Sequence, residues 1–130
     1  MSVSHANASQ PRVFVVDDDD AVRAAVSLLV RSYGWDAVPC ADAEDFLARY
    51  APEAHQCLVL DLCMPGMSGL ELQRELGRRG DTVPIIVVTA HHDRPEANLM
   101  VQRGAHTVLG KPFDHQDLVD WIRRLLDTPT

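Results

Sequence analysis

Four short apolar runs in this chain each lead directly into residues able to handle charge. Val13-Phe14-Val15-Val16 runs into Asp17-Asp18-Asp19-Asp20, and Cys57-Leu58-Val59-Leu60 runs into Asp61. Ile85-Ile86-Val87-Val88 runs into Thr89-Ala90, and Thr107-Val108-Leu109-Gly110 into Lys111-Pro112. The runs at Cys57–Leu60 and Ile85–Val88 are apolar on both alternating faces, the pattern of strands covered on both sides. Helical patterns separate the runs, so the arrangement expected is a parallel sheet with helices on both faces. In such a sheet the carboxyl ends of the strands share one edge, and ligands bind in the crevice there. Carboxylates, a hydroxyl and an ammonium that are distant in sequence would converge at that edge. The set suits one divalent cation and one phosphoryl group.

Strand and helix patterns alternate five times. After Val13–Val16, Asp20 is placed to cap a helix running to about Tyr33, where Gly34 ends it. Its Val22, Ala25, Val26, Leu29 and Val30 recur at helical spacing and are expected to face the sheet. Asp36–Cys40 reads as an edge strand, followed by a helix near Ala43–Tyr50 that Pro52 breaks. Pro65-Gly66-Met67-Ser68-Gly69 is a turn cluster, with Ser68 capping a helix that ends near Gly80. A looser helix covers Pro95 to Arg103, and Asp114 caps a last one with Leu118, Ile122, Leu125 and Leu126 on its buried side. Five units with short connections give a doubly wound, right-handed α/β sheet. Residues 1–10 read as a flexible lead, 11–127 as one domain, and 128–130 as a tail or the start of a linker.

Composition narrows the function. A net charge of −7 over 130 residues argues against a nucleic-acid surface, which relies on clustered Lys and Arg. No run approaches a membrane-spanning length, and the first ten residues lack the basic-then-apolar pattern of a signal peptide. The three cysteines, Cys40, Cys57 and Cys63, have no CxxC spacing, which fits reduced thiols used as small apolar filler in a cytoplasmic protein.

The acidic run sets the chemistry. Adjacent carboxylates at a strand end repel one another, and desolvating one unpaired is expensive. A cation removes that penalty, and Mg²⁺ suits because it needs only one or two carboxylates beside waters and phosphate oxygens. Asp61 is the candidate nucleophile, since a carboxylate can accept a phosphoryl group as an acyl phosphate. Transfer of that group depends mostly on positioning and charge neutralisation. Lys111 supplies a positive group, Thr89 a hydroxyl donor, and the amides of Cys63 and Ala90 further donors. Small Ala90 leaves room for the phosphate. His91-His92-Asp93 is not expected to hold zinc, because adjacent loop side chains rarely converge on one ion.

Together, Asp17-Asp18, Asp61-Leu62-Cys63-Met64-Pro65-Gly66-Met67-Ser68-Gly69, Thr89-Ala90 and Lys111-Pro112-Phe113 resemble a response-regulator receiver domain of two-component signalling. The resemblance covers Arg12 to Leu126, and Val59–Leu76 with the Gly-Ala…Lys-Pro-Phe ending is most similar to the FixJ-like branch. It implies a flavodoxin-like receiver fold, a five-stranded parallel sheet in the order 2-1-3-4-5 with five helices, for which the chemotaxis receiver is a standing example. It also implies Asp61 as phosphoacceptor, and Asp17, Asp18, Asp61 and the carbonyl of Cys63 around Mg²⁺. Thr89 and Lys111 would bind phosphate, and Lys111-Pro112 would be cis. A histidine kinase would dock on the first helix and the phosphosite loops. The apolar stripe Ala21, Ala24 and Leu28 fits that role. Met100, Val101, Val108 and Trp121 are candidates for a dimer face engaged on phosphorylation. The eventual output would be control of transcription, through an attached or separate domain.

One position departs from the family pattern. Receivers usually carry Tyr or Phe three residues before the Lys, a ring that turns inward as the Thr hydroxyl moves to the phosphate. Val108 stands there, and its small side chain implies a reduced or differently routed change at the fourth helix, fifth strand and last helix. Cys63 and His91 border the expected path of water to the acyl phosphate. Two other readings compete. Asp17-Asp18-Asp19 also matches the D-x-D opening of a HAD-type phosphatase, but that reading leaves Asp61 and its Met-Pro-Gly-Met-Ser-Gly turn unexplained. A receiver used only for interaction, without phosphorylation, is the other.

Overall fold

The computed structural model describes residues 10–127. The expected lead (apart from Gln10) and the tail at 128–130 lie outside the described residues. Elements follow in the order β1 (Arg12–Val16), α1 (Asp20–Ser32), β2 (Asp36–Cys40), α2 (Ala43–Arg49) and β3 (Gln56–Asp61), then α3 (Gly69–Arg78), β4 (Ile85–Thr89), α4 (Pro95–Gln102), β5 (Thr107–Gly110) and α5 (His115–Leu126). All pairings are parallel and the sheet order is β2-β1-β3-β4-β5. The expected topology is therefore found. β3 and β4 run one residue further than their apolar runs, so Asp61 and Thr89 are their last ladder residues, as Gly110 is of β5.

Alternation along the strands divides the core in two. Phe14, Val16, Leu58, Leu60 and Val87 pack with Phe46, Leu72, Leu76 and Met100, on the side of α2, α3 and α4. Val13, Val15, Val59, Ile86 and Val88 pack with Val26, Val30, Leu118, Ile122 and Leu125, on the side of α1 and α5. Every residue of β3 and β4 is buried, as a strand covered on both faces requires.

Three local expectations need correction. The N-cap of α1 is Asp19, not Asp20: Asp19 keeps an extended backbone, and its carboxylate accepts from the amides of Ala21 (2.9 Å) and Val22 (3.2 Å). Asp20 already has helical conformation and instead pairs with Arg23. On α1 the buried stripe is Val26, Ser27 and Val30, flanked by half-buried Val22 and Leu29, so Ala25 is exposed. Met100 is not a surface residue, because α4 drives it into the core at 0% exposure while Val101 stays outside. Buried Gln73 fixes that end of α4 by donating its Nε2–H to the Met100 carbonyl at 2.8 Å.

The turn before α3 follows its sequence closely. Ser68 caps the helix and Glu71 returns the bond to the Ser68 amide, a reciprocal capping box. Gly66 has a positive φ of 74° that only a residue without Cβ adopts freely. Gly69 is needed for another reason: a Cβ there would lie 2.6 Å from the carbonyl oxygen of Asp61. The amide of Gly69 donates to the Leu62 carbonyl at 3.0 Å, folding the helix start tightly over the end of β3. The nucleophile candidate is thus held from behind by a glycine.

Candidate functional site

The register sets the site. Val16 of β1 is level with Leu60 of β3, so Asp17 and Asp61 emerge side by side at the carboxyl edge. Asp17 is 1% exposed and Asp61 5% exposed, while Asp18 is open to solvent. Asp17 is anchored at both ends: its Oδ1 accepts from the Asp19 amide at 2.9 Å, and its carbonyl accepts from Arg23 Nη1 at 2.7 Å. Cys63, half-buried, donates its amide to Asp61 Oδ1 at 3.3 Å.

Lys111 reaches this pair from the far side of the sheet. Its amide extends the ladder by donating to the Thr89 carbonyl at 2.8 Å, and the Lys111-Pro112 bond is cis. Its Nζ donates to Asp17 Oδ2 at 2.8 Å and lies 3.6 Å from Asp61 Oδ2. Thr89 is fully buried at the end of β4, with its Oγ1 accepting from the His91 amide at 3.0 Å. Ala90 and His91 are exposed beyond it, and Val108 is half-buried against the α2–α4 core.

The electrostatics follow from that crowding. Burial, the neighbouring Asp17 charge and, more weakly, Asp18 push the Asp61 carboxyl up to about 6, against the opposing pull of Lys111 and the Cys63 amide. Burial alone would lower the Lys111 ammonium, but the hydrogen bond it donates to Asp17 and the Asp61 and Asp17 charges overcome it, so its pKa is raised. Two buried acids thus share one ammonium, leaving net negative charge at the edge.

That deficit is what a divalent cation would neutralise. One oxygen each of Asp17, Asp18 and Asp61 lie within 4.8 Å of one another, the one such cluster among the described residues. Asp17, Asp18 and Asp61 would be the residues to hold such an ion. Hard carboxylate donors, one of them solvent-facing, fit an ion that keeps waters.

The structure brings Asp17, Asp18, Asp61 and Lys111 together, with Cys63 touching Asp61 and Thr89 at the adjoining strand end. Sequence reasoning missed three supports. Arg23 braces Asp17 from the next helix turn, which no local pattern announces. Gly69 sits in the turn motif, but its contact with Asp61 appears only in space. His92 packs on Gly110, a pairing between the loop after β4 and the end of β5 with no sequence signature.

An all-parallel sheet in this order, with an acidic pair and a lysine at its carboxyl edge, defines a receiver-type fold. The chain belongs to the response regulator receiver domain family, which it matches over residues 13–123. It is 41% identical to the response regulator protein TmoT of Ectopseudomonas mendocina over 122 residues, 94% of this chain and 56% of that one. It is also 41% identical to the transcriptional regulatory protein FixJ of Azorhizobium caulinodans, over 88% of this chain and 54% of that one. The chain therefore spans about half the length of these relatives. Among solved structures it resembles response regulator StyR, with a TM-score of 0.84 and 46% identity over 90% of this chain and 59% of that one. The crystal structure of FixJ-N gives a TM-score of 0.82 and 35% identity over 91% of this chain and 94% of that one. As a receiver domain of two-component response regulators, the chain is a signalling module and not a conventional enzyme.

Proposed function

We propose that the chain is a phosphorylation-controlled switch in which Asp61 accepts a phosphoryl group from a histidine kinase with the help of Mg²⁺. The observation that carries this reading is the buried Asp17–Asp61 pair sharing Lys111. Asp17, Asp18 and Asp61, with the carbonyl of Cys63, would hold the ion. Bound Mg²⁺ supplies charge neutralisation between the carboxylate and the phosphoryl oxygens. An Asp61 oxygen forms the new bond to phosphorus as the phosphorus–nitrogen bond of the donor phosphohistidine breaks and its electron pair returns to the imidazole. Lys111, 3.6 Å from Asp61, offsets the charge brought in, and the Thr89 hydroxyl and the amides of Cys63 and Ala90 donate to the phosphoryl oxygens.

The kinase surface fits the first helix. Ala21, Ala24 and Leu28 are exposed, Leu28 at 70%. Beside them Val22, Ala25 and Leu29 line a groove of about 350 Å³ with Pro112, Phe113 and His115, next to Lys111. An amphipathic kinase helix laid there would bring its phosphohistidine to the phosphosite. Phosphorylation would then bias the α4–β5–α5 side, favouring a homodimer in which Val101 and Trp121, but not buried Met100, contribute. Control of transcription in the cytoplasm, through an attached or separate output domain, is supported by the relatives' names and their greater length. The net charge of −7 supports an output that does not rest on this domain touching nucleic acid.

The test is chemical mapping of the modified residue. After incubation with Mg²⁺ and acetyl phosphate, borohydride reduction converts an acyl phosphate to an alcohol, so peptide mass mapping should find homoserine at position 61. Reduction at Asp17, or turnover of an added phosphatase substrate without self-labelling, would favour the D-x-D phosphatase reading instead.

A further inference from the structure

The sheet face that carries Thr89 has an unexpected occupant at its rim. Thr89 and Gly110 are level on β4 and β5, and alternation puts them on the same side as Val87 and Val108, facing α4. Gly110 offers no side chain there, and His92 takes the place. A Cβ at Gly110 would stand 2.7 Å from His92 Nδ1, 3.1 Å from Cγ and 3.3 Å from Cε1. The imidazole from the loop after β4 thus fills the seat beside Thr89 that β5 leaves vacant, while its outer side faces solvent.

The same loop is tied to the Thr89 hydroxyl. The His91 amide donates to Thr89 Oγ1 at 3.0 Å, and the Lys111 amide holds the Thr89 carbonyl at 2.8 Å. Hydroxyl, loop, ring and Gly110 form one closed circuit. Were Thr89 Oγ1 drawn toward a phosphoryl group on Asp61, its bond to the His91 amide would loosen, and the next residue would be held by the contact with Gly110. The loop turns directly into α4 through the Arg94 amide and the His91 carbonyl (3.1 Å), and α4 starts without a side-chain cap to resist a shift.

We propose that His92 is the switch side chain of this domain: its ring re-seats relative to Gly110 as Thr89 engages the phosphoryl group, and carries the change to α4 and β5. Val108 lies on the same face but is too short to sweep that space. His92 is a positioning residue acting through the loop, and the inference rests on phosphorylation of Asp61 as proposed above.

The experiment is NMR of the full chain with Mg²⁺, before and after adding beryllofluoride as the phosphoryl mimic, with ¹⁹F spectra reporting occupancy. The imidazole resonance of His92 should move more than those of His55, His106 and His115. The amide shifts over α4 and β5 should fall by about half or more in His92→Ala, and return in His92→Phe, which keeps a ring. Gly110→Ala, which removes the seat, should resemble His92→Ala. A still His92 resonance while the α4 and β5 amides move, or a wild-type pattern in His92→Ala, would overturn the inference. Failure of wild-type protein to take up beryllofluoride would overturn the phosphorylation reading beneath it, and the inference with it.

Discussion

Replacing Asp61 by Asn should stabilise the domain when no divalent cation is present. The carboxylate is 5% exposed, beside the equally buried Asp17, and its pKa is raised from 3.8 to about 6. At about 1.4 kcal/mol for each pH unit, that displacement corresponds to about 3 kcal/mol of folding free energy lost by ionising Asp61 in place. Asn is close in shape and neutral, its side-chain oxygen can still accept the Cys63 amide, and Lys111 keeps its 2.8 Å bond to Asp17. A gain of about 1–3 kcal/mol at pH 8 follows, raising Tm by on the order of 10 °C for a domain of this size. The sign fixes the pH dependence. A carboxyl whose folded-state pKa is raised contributes stability that is present below its unfolded value and lost as pH rises through about 6. The advantage of Asn should therefore shrink to about half near pH 5 and nearly vanish near pH 4. Differential scanning calorimetry of both proteins in EDTA across that range measures it. A mutant less stable than wild type at pH 8, or a gap that does not close on acidification, would refute the account of a buried, strained carboxylate.

Other expectations follow from the same geometry. Because Asp61 must be deprotonated to bind a cation, Mg²⁺ affinity measured by calorimetric titration should fall about ten-fold per pH unit below about 6; a flat profile between pH 5 and 7 would separate Asp61 from the ion. Gly69→Ala places a Cβ 2.6 Å from the Asp61 carbonyl, so urea unfolding should show a loss of about 1–3 kcal/mol together with slower phosphoryl uptake. Ser68→Ala breaks the capping box and should cost about 1 kcal/mol in the same assay.

The topology could be read from the chain because each strand announces itself by an apolar run and each helix by its spacing. The site was readable because parallel strands deliver their next residues to one edge; Asp17, Asp61 and Lys111 needed no further information to meet. Where reading fell short, the cause was physical. Four identical aspartates give no local reason to prefer one cap, and the choice of Asp19 is made by where β1 releases the chain. Leu99-Met100-Val101 is three apolar residues in a row, so only packing against Gln73 and the sheet decides that Met100 goes inside. The contacts of Arg23 with Asp17 and of His92 with Gly110 arise between separate elements, and no periodicity encodes them.

The most direct test of the central claim is intact mass after incubation with acetyl phosphate, with Mg²⁺ or EDTA, beside Asp61→Asn. Addition of one phosphoryl group to the wild-type chain, dependent on Mg²⁺ and absent from the mutant, is the expected result. A mutant that gains the mass equally would contradict the assignment of Asp61 as phosphoacceptor, and a folded wild-type protein that gains none would move the domain to the class of receivers that act by interaction alone.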